Sequence, residues 1–404
     1  MDPRGVPGTA RYRAGSRERI SRLEQRTTPD CNQNRTMTTD RALLEQAVQA
    51  ANLEPATQTF VEAVLDRADL PRRLAKMSLV FRQRKQRPEA EKLARLARQL
   101  AAGDDYPVWV LTDWLERRQA PLWHFGIVHD ERRNAAYAEA LRHFVTPDTT
   151  VFEIGTGTGI LAMLAARAGA KHVYTCERRE DVAAAAREII ARNGFAERIT
   201  VIAKDAHQVR VGTDLPERCN LFVAEIVDNS LLGEQVLPLT QLARERFLTA
   251  DAGLLPRSVA AIGYAVTGQG QAHKYRMGQI SGFDMTPFNR FTPIEINAGK
   301  GGGELHPLTA PTELARFDLD AAIRQEGEFK VNLIATRAGE AQAICRWLRL
   351  DFGAGILFEN NPPHRSCWDP QLHILPQPPL LDVGDPLALT LQHDQDALYL
   401  WPTA

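Results

Sequence analysis

The segment Val151-Phe-Glu-Ile-Gly-Thr-Gly-Thr-Gly-Ile160 joins a short β-prone run to a tight glycine turn, and an alanine-rich apolar run, Leu161 to Gly169, follows it. That order reads as strand, turn, helix. Gly155, Gly157 and Gly159 let the backbone approach a ligand closely, and the start of the helix offers unpaired N–H groups. A second β-prone run, Lys171-His-Val-Tyr-Thr-Cys-Glu177, ends in an acid about 24 residues beyond Glu153. This is close to the spacing of a Rossmann-type unit, in which an acid accepts both hydroxyls of a ribose.

The glycine spelling separates ligand classes. The dinucleotide fingerprint is G-x-G-x-x-G, whereas here the glycines fall as G-x-G-x-G and Ile160 takes the sixth place. The E-x-G-x-G-x-G spelling that begins at Glu153 resembles motif I of the methyltransferases that use S-adenosylmethionine (SAM). The resemblance implies SAM as cofactor, bound by Glu153, the three glycines and Glu177. A dinucleotide site and a ligand-free packing turn are the alternatives.

A chain of 404 residues has room for two domains or more, and 44% hydrophobic with 25% charged residues is a globular composition. A formal net charge of −1 supplies no global attraction to nucleic acid or membrane. The five cysteines are scattered without a C-x-x-C pair, which argues against a disulfide framework or a zinc site and leads us to expect a reducing, cytoplasmic setting. No apolar run approaches 18 residues, so no transmembrane helix is expected, and the N-terminus lacks the apolar core of a secretory signal.

Residues 1–38 carry eight arginines against four acids and few large apolar residues, which reads as a disordered basic tail. Residues 39–119 read as successive helices, because Pro55, Pro71 and Pro88 stand at helix starts and Gly103 at a stop. Short breaks between them suggest helical hairpins, although no clean repeat is present. The basic cluster from Arg72 to Arg87 is expected to be a solvated helix face.

A more specific pattern follows. Asp130-Glu-Arg-Arg133-Asn134-Ala-Ala-Tyr137 opens an amphipathic helix, with Ala136, Tyr137, Ala140, Leu141 and Phe144 at helical spacing. The order D-x-x-R-N-x-x-Y and then E-I-G-T-G-T-G resembles the protein arginine methyltransferase family, in the branch of its seventh and ninth members. The resemblance covers about residues 120–404, in one copy. It implies that Arg133 binds the SAM carboxylate, and Asp205, at the end of a third strand, is expected near the adenine.

Glu225 ends a β-prone run and Glu234 follows Gly233 nine residues later, with Asp228 between them. On its own the pair reads as two unrelated loop acids. Beside the upstream motifs it resembles the family's double-glutamate loop, including the D-x-x-L-x-G-E pattern of the seventh-member branch. The chemistry accounts for two acids. A guanidinium stays protonated and presents five donors and no acceptor. Two carboxylates grip it through charge-assisted bonds and aim one nitrogen at the methyl group.

Beyond about residue 254, β-prone runs alternate with glycine and proline turns, which predicts an all-β, barrel-like module over 254–404. Within it, Gly-Phe283-Asp-Met285 resembles the family's dimerisation arm, expected over about 275–295. Ser366-Cys367-Trp368 stands where the family has T-H-W in the loop that lines the substrate pocket, so Trp368 agrees and Cys367 replaces the histidine that pairs with the acid at Asp130. Trp368 also suits a place in the core.

The fold expected is therefore α/β: a helical region, a Rossmann-like class I methyltransferase domain over 120–253, and a β-rich substrate domain. The activity expected is SAM-dependent methylation of an arginine guanidinium, stopping at monomethylarginine, with Glu225 and Glu234 as the catalytic pair and Asp130, Asp228 and Trp368 beside the substrate. A homodimer is expected, and no metal. Methylation of a small guanidine compound, or SAM binding without turnover, are the alternatives.

Overall fold

The computed structural model describes residues 41–67, 69–101, 105–268, 275–299, 305–324 and 326–403. The basic tail over 1–38 and most of the glycine run at 299–303 lie outside the described residues. The chain divides into two compact units, one up to Leu115 and one from Glu116.

The first unit is helical: α1 (Arg41–Ala50), α2 (Pro55–Glu62), α3 (Leu70–Gln83), α4 (Arg87–Leu100) and the start of α5 (Tyr106–Gln119). Proline stands in the first turn of α2, α3 and α4, where its missing N–H is not needed. α3 and α4 pack on each other as a hairpin, burying Leu70 and Leu74 of one and Leu93, Leu96 and Ala97 of the other. α2 ends at Glu62, and a run of turns carries the chain onward. The basic cluster is a solvated face in part neutralised by surface ion pairs, Arg72 with Asp105 and Arg73 with Asp69.

The second unit holds two layers of different build. β1 (Thr150–Ile154), β2 (His172–Cys176), β3 (Ile199–Ile202), β4 (Cys219–Ala224) and β5 (Leu248–Leu255) form a sheet in the order β3-β2-β1-β4-β5, parallel throughout. Its central strands β1 and β4 are buried on both faces, as a sheet covered by helices requires. The covering helices include α8 (Ile160–Ala168), α9 (Glu180–Arg192) and α10 (Val236–Arg246). Strand order reverses at β1, between β2 and β4, so the crevice for a ligand opens at the carboxyl ends of these strands.

Two helices precede the sheet, the short α6 (Trp123–Val128) and the longer α7 (Glu131–Phe144). α7 packs against the C-terminal β structure, where the Tyr137 ring meets Phe352 edge-on at 4.7 Å. That structure is built on β6 (Ser258–Thr267), which pairs antiparallel with Ala343–Gly353 and with Thr312–Asp318. The ladder continues through Gln371–Ile374 to Glu295–Asn297, seven strands in all.

The barrel expected over 254–404 is not closed. Among the described residues the seven-stranded sheet and a three-stranded sheet (Gly327–Ile334, Pro386–His393, Leu398–Pro402) share no ladder. They meet through side chains instead, with Phe317 of one sheet edge-on to Phe329 and His393 of the other. The alternation of β-prone runs predicts strands correctly, but closure depends on register between distant strands, which alternation does not encode.

Candidate active site

The glycine turn does what its spelling requires. Gly155 and Gly159 take φ of +87° and +81°, where a side chain would be strained, and a Cβ on Gly159 would lie 3.0 Å from Ile190. Gly159 thus lets the start of α8 sit close to α9. The Gly155 and Thr156 amides donate to the Cys176 carbonyl, and the Thr156 and Thr175 hydroxyls meet at 2.7 Å. The turn is thereby fastened to the end of β2, where Glu177 emerges. The Glu177 carboxylate is oriented by the amides of Gly157, at 3.2 Å, and Arg179, at 3.0 Å.

Seven of the expected residues converge here. Arg133, Glu153, Gly155, Gly157, Glu177, Glu225 and Glu234 line one cavity of about 90 Å³. An adjoining cavity of about 390 Å³ shares Gly155, Glu177 and Glu234 and adds Asp205, with Arg178, Arg179 and Lys204 on its walls. Gly159 lies behind the turn. Asp205, at the end of β3, spends one oxygen on the amide and ring of His207, at 2.9 and 2.8 Å.

Arg133 and Glu225 are paired. Arg133 Nη2 donates to Glu225 Oε2 at 2.8 Å, and both side chains are nearly inaccessible to solvent. Tyr137, one turn along α7, donates to the Ala224 carbonyl at 2.8 Å and so fixes the strand end from which Glu225 projects. Burial pushes the Glu225 carboxyl up to about 7, a greater effect than the opposing pull of Arg133. Glu153, fully enclosed, is pushed up to about 8 by the same cause. Glu234 is pushed up to about 7 by burial of its carboxyl and then by Glu225 and Asp228, with Arg178 opposing, although the residue as a whole remains solvent-accessible.

Three buried polar atoms at this cavity lack a hydrogen-bond partner: Arg133 Nε, Glu153 Oε2 and Glu225 Oε1. Unpartnered buried groups are costly, so their clustering in one recess marks a place for a polar ligand. The set fits SAM. A guanidinium can take its carboxylate, an acceptor its ammonium group and Glu177 its ribose. No group of three or more His, Cys, Asp or Glu suited to a metal occurs among the described residues.

Asp130, Asp228 and Trp368 line neither cavity. Asp130 caps α7, accepting from the Arg133 amide at 3.0 Å, and its other oxygen accepts from Ser366 Oγ at 2.6 Å and the Cys367 amide at 2.9 Å. It docks the Ser366–Trp368 loop onto α7 without a histidine. Burial pushes the Cys367 thiol up, so it stays protonated. Trp368 is buried against Phe358, and its indole donates to the Val227 carbonyl at 3.1 Å. Asp228 Oδ1 accepts from Ser230 N, Ser230 Oγ and Gly233 N at 3.0, 2.7 and 3.1 Å, and so it shapes the loop between the two glutamates. Leu231 and Gln235 in and beside that loop hold φ of +84° and +64°, a strained conformation that surrounding contacts sustain.

Sequence reasoning missed Trp123, His124 and Arg346. Trp123 and His124 stack at 3.7 Å and line both cavities. Their only sequence signal is an aromatic cluster before Phe125. Arg346 lies in a β-prone run with nothing to mark it.

The pH dependence follows from the raised carboxyls. Protonation of Glu225 or Glu234 takes negative charge out of the cavity, so a cationic substrate would be held less well. We expect kcat/KM to fall as pH drops through about 7, and the corresponding limb of kcat to lie lower, because bound cation favours the ionised acids. A kcat/KM that stays flat down to pH 5 rules out the raised clamp. Stability runs the opposite way. Acids raised in the folded state bind more protons than in the unfolded chain, so their ionisation between the ordinary value of 4.5 and about 7 to 8 weakens the fold as pH rises.

Residues 136–249 match the family model described as ribosomal protein L11 methyltransferase (PrmA). An arginine N(omega)-methyltransferase of Streptomyces achromogenes subsp. streptozoticus is 35% identical over 283 residues, covering 69% of this chain and 77% of that protein. Protein arginine N-methyltransferase 7 of Drosophila ananassae is 28% identical over 349 residues, 72% of this chain but 50% of that protein, so the chain spans about half the length of its fly relatives. Among solved structures, the Trypanosoma brucei PRMT1 enzyme–prozyme heterotetrameric complex with AdoHcy aligns with a TM-score of 0.58 at 23% identity, over 66% of this chain and 86% of that one. PRMT6 aligns with a TM-score of 0.56 at 16% identity, over 70% and 98%. These two likenesses concern the fold.

Proposed function

This chain belongs to the arginine methyltransferase family and is a SAM-dependent methyltransferase; from that premise we propose that it methylates a guanidinium nitrogen of arginine in a protein or peptide, once per side chain. The observation that carries this reading is the meeting of Glu225 and Glu234 at one cavity with Arg133, Glu153 and Glu177.

SAM, when bound, supplies an electrophilic methyl with its own leaving group. The protein's part is placement and charge. Arg133, Glu153 and Glu177 hold the cofactor by carboxylate, ammonium and ribose. Glu225 and Glu234 hold the guanidinium so that its charge lies toward the carboxylates and one terminal nitrogen recovers lone-pair character. As that nitrogen gains the methyl, one N–H proton must leave. Carboxyls poised near 7 can accept it, and Glu234 stands where water can carry it off.

The single-methyl product rests on Asp228 and on the loop spelling shared with the seventh-member branch. Asp228 Oδ1 is committed to its own loop, so it acts on the site mainly as a third negative charge close to Glu234 and as the brace that keeps the loop tight. The test is amino-acid analysis after exhaustive reaction of labelled SAM with an arginine-bearing peptide. Monomethylarginine is expected as the end point, and accumulation of either dimethylarginine as the main product overturns it.

A second reading, free arginine as substrate, is favoured by the name of the Streptomyces relative, which specifies arginine and no protein. The same assay with free arginine as substrate and as competitor separates the two readings.

The arm supports a homodimer. Phe283, Met285, Phe288 and Phe291 are exposed on a short ribbon and 3-10 turn, an apolar patch of the kind that marks a docking surface. An apolar groove lined by Ile160, Met163, Leu164 and Phe195 on the SAM domain is the seat we propose for it on a second copy. Sedimentation analysis is expected to give a dimer at micromolar concentration, and a Phe283→Asp, Phe288→Asp variant a monomer. A wild-type monomer counts against the arm.

A further inference from the structure

We infer that Arg346 is a positioning residue that holds the loop between Glu225 and Glu234 in its working shape from the β domain. The inference rests on the reading of those two glutamates as the guanidinium clamp.

Arg346 projects from strand Ala343–Gly353, outside both cavities, and its side chain is 3% exposed. Nη1 donates to the Ser230 carbonyl at 3.1 Å, in the middle of the loop. Nη2 donates to both oxygens of Glu295, at 2.9 and 3.0 Å. Glu295 is held in turn on the strand Glu295–Asn297, whose register sets it opposite His373. A buried arginine has few geometries open to it, and a carboxylate gripping one nitrogen leaves the other aimed in one direction. Here that direction is the loop backbone.

Ser230 is also where the loop most needs an outside support. Asp228 ties the loop to itself, and Leu231, the next residue, sits at a strained φ of +84°. Two further bonds come from the same side: Trp368 Nε1 to the Val227 carbonyl at 3.1 Å, and the Asp369 amide to Asn229 Oδ1 at 3.1 Å. The β domain thus grips three of the eight residues that separate the glutamates, and Arg346 is the one grip that uses a buried charge. A slack loop would let Glu234 move away from Glu225 while leaving β1, β2 and the glycine turn intact.

The test uses this chain and three variants. Arg346→Lys keeps the charge but loses the second nitrogen. Removing Arg346 alone would leave Glu295, whose side chain is one-third exposed, without its partner, so the double variant Arg346→Leu, Glu295→Gln removes both charges and spares the fold. Glu295→Gln alone keeps an acceptor for Arg346. We expect the Lys and double variants to bind SAM within about twofold of wild type by calorimetry. Their kcat for an arginine peptide should fall about 10- to 100-fold with a raised peptide KM, as 1 Å misplacement of reacting groups produces. The acid limb of kcat/KM should move to lower pH as the Glu234 carboxyl becomes more hydrated. Glu295→Gln should recover most of the turnover. A folded double variant with wild-type kcat, KM and pH profile overturns the inference. So does a loss of SAM binding equal to the loss of turnover, since that marks a general structural role. Glu225→Gln and Glu234→Gln are run alongside: if they retain turnover, the clamp itself is wrong, whatever Arg346 does.

Discussion

Glu225→Gln and Glu234→Gln are each expected to lower methyl transfer by about 10²- to 10³-fold, the loss that follows removal of one preorganised electrostatic contact in an enclosed site. The side chain keeps its size and its acceptor oxygen, so the difference measured is charge. The two substitutions should differ in one respect. Glu225 is paired with Arg133 at 2.8 Å, and the amide oxygen of glutamine can still receive that bond, but the pair loses its Coulomb attraction in a buried setting. A modest weakening of SAM binding is therefore expected for Glu225→Gln and none for Glu234→Gln, which stands apart from Arg133. Single-turnover kinetics with SAM bound to saturation reads the chemical step, and calorimetry reads the cofactor. If either variant folds and turns over near the wild-type rate, that glutamate does not hold the guanidinium.

Glu177→Ala is expected to weaken SAM binding about 10- to 100-fold, equivalent to about 1.5–3 kcal/mol for loss of a charged hydrogen-bonding partner. Its carboxylate is set by the Gly157 and Arg179 amides before any ligand arrives, so little ordering cost attends its bonds to a ribose. Because Glu177 borders both cavities, its loss should act on the cofactor and leave the maximal rate at saturating SAM less affected. Unchanged SAM affinity in a folded variant overturns the assignment of Glu177 to the ribose.

The parallel sheet and its ligand crevice were legible in the sequence because they are written locally. Strand, glycine turn, helix and terminal acid follow one another within about 27 residues, and each is dictated by backbone allowance or periodicity. The candidate acids were legible for the same reason, since Glu225 and Glu234 are near neighbours in the chain around a glycine. The tertiary structure decided what crosses the chain. It paired Arg133 with Glu225 over 92 positions, and it raised the carboxyls of Glu153 and Glu225 by enclosing them, an effect that depends on which surfaces meet. It gave Asp228 the bonds that brace the loop, and it gave Trp368 a buried place that supports Val227. It left the β domain as separate sheets, the two largest in contact through Phe317, rather than a closed barrel. It also brought in Arg346, whose bond to Ser230 spans 116 positions. A lone arginine in a strand carries no sequence signal for such a bond, because only the meeting of the two domains creates the partner.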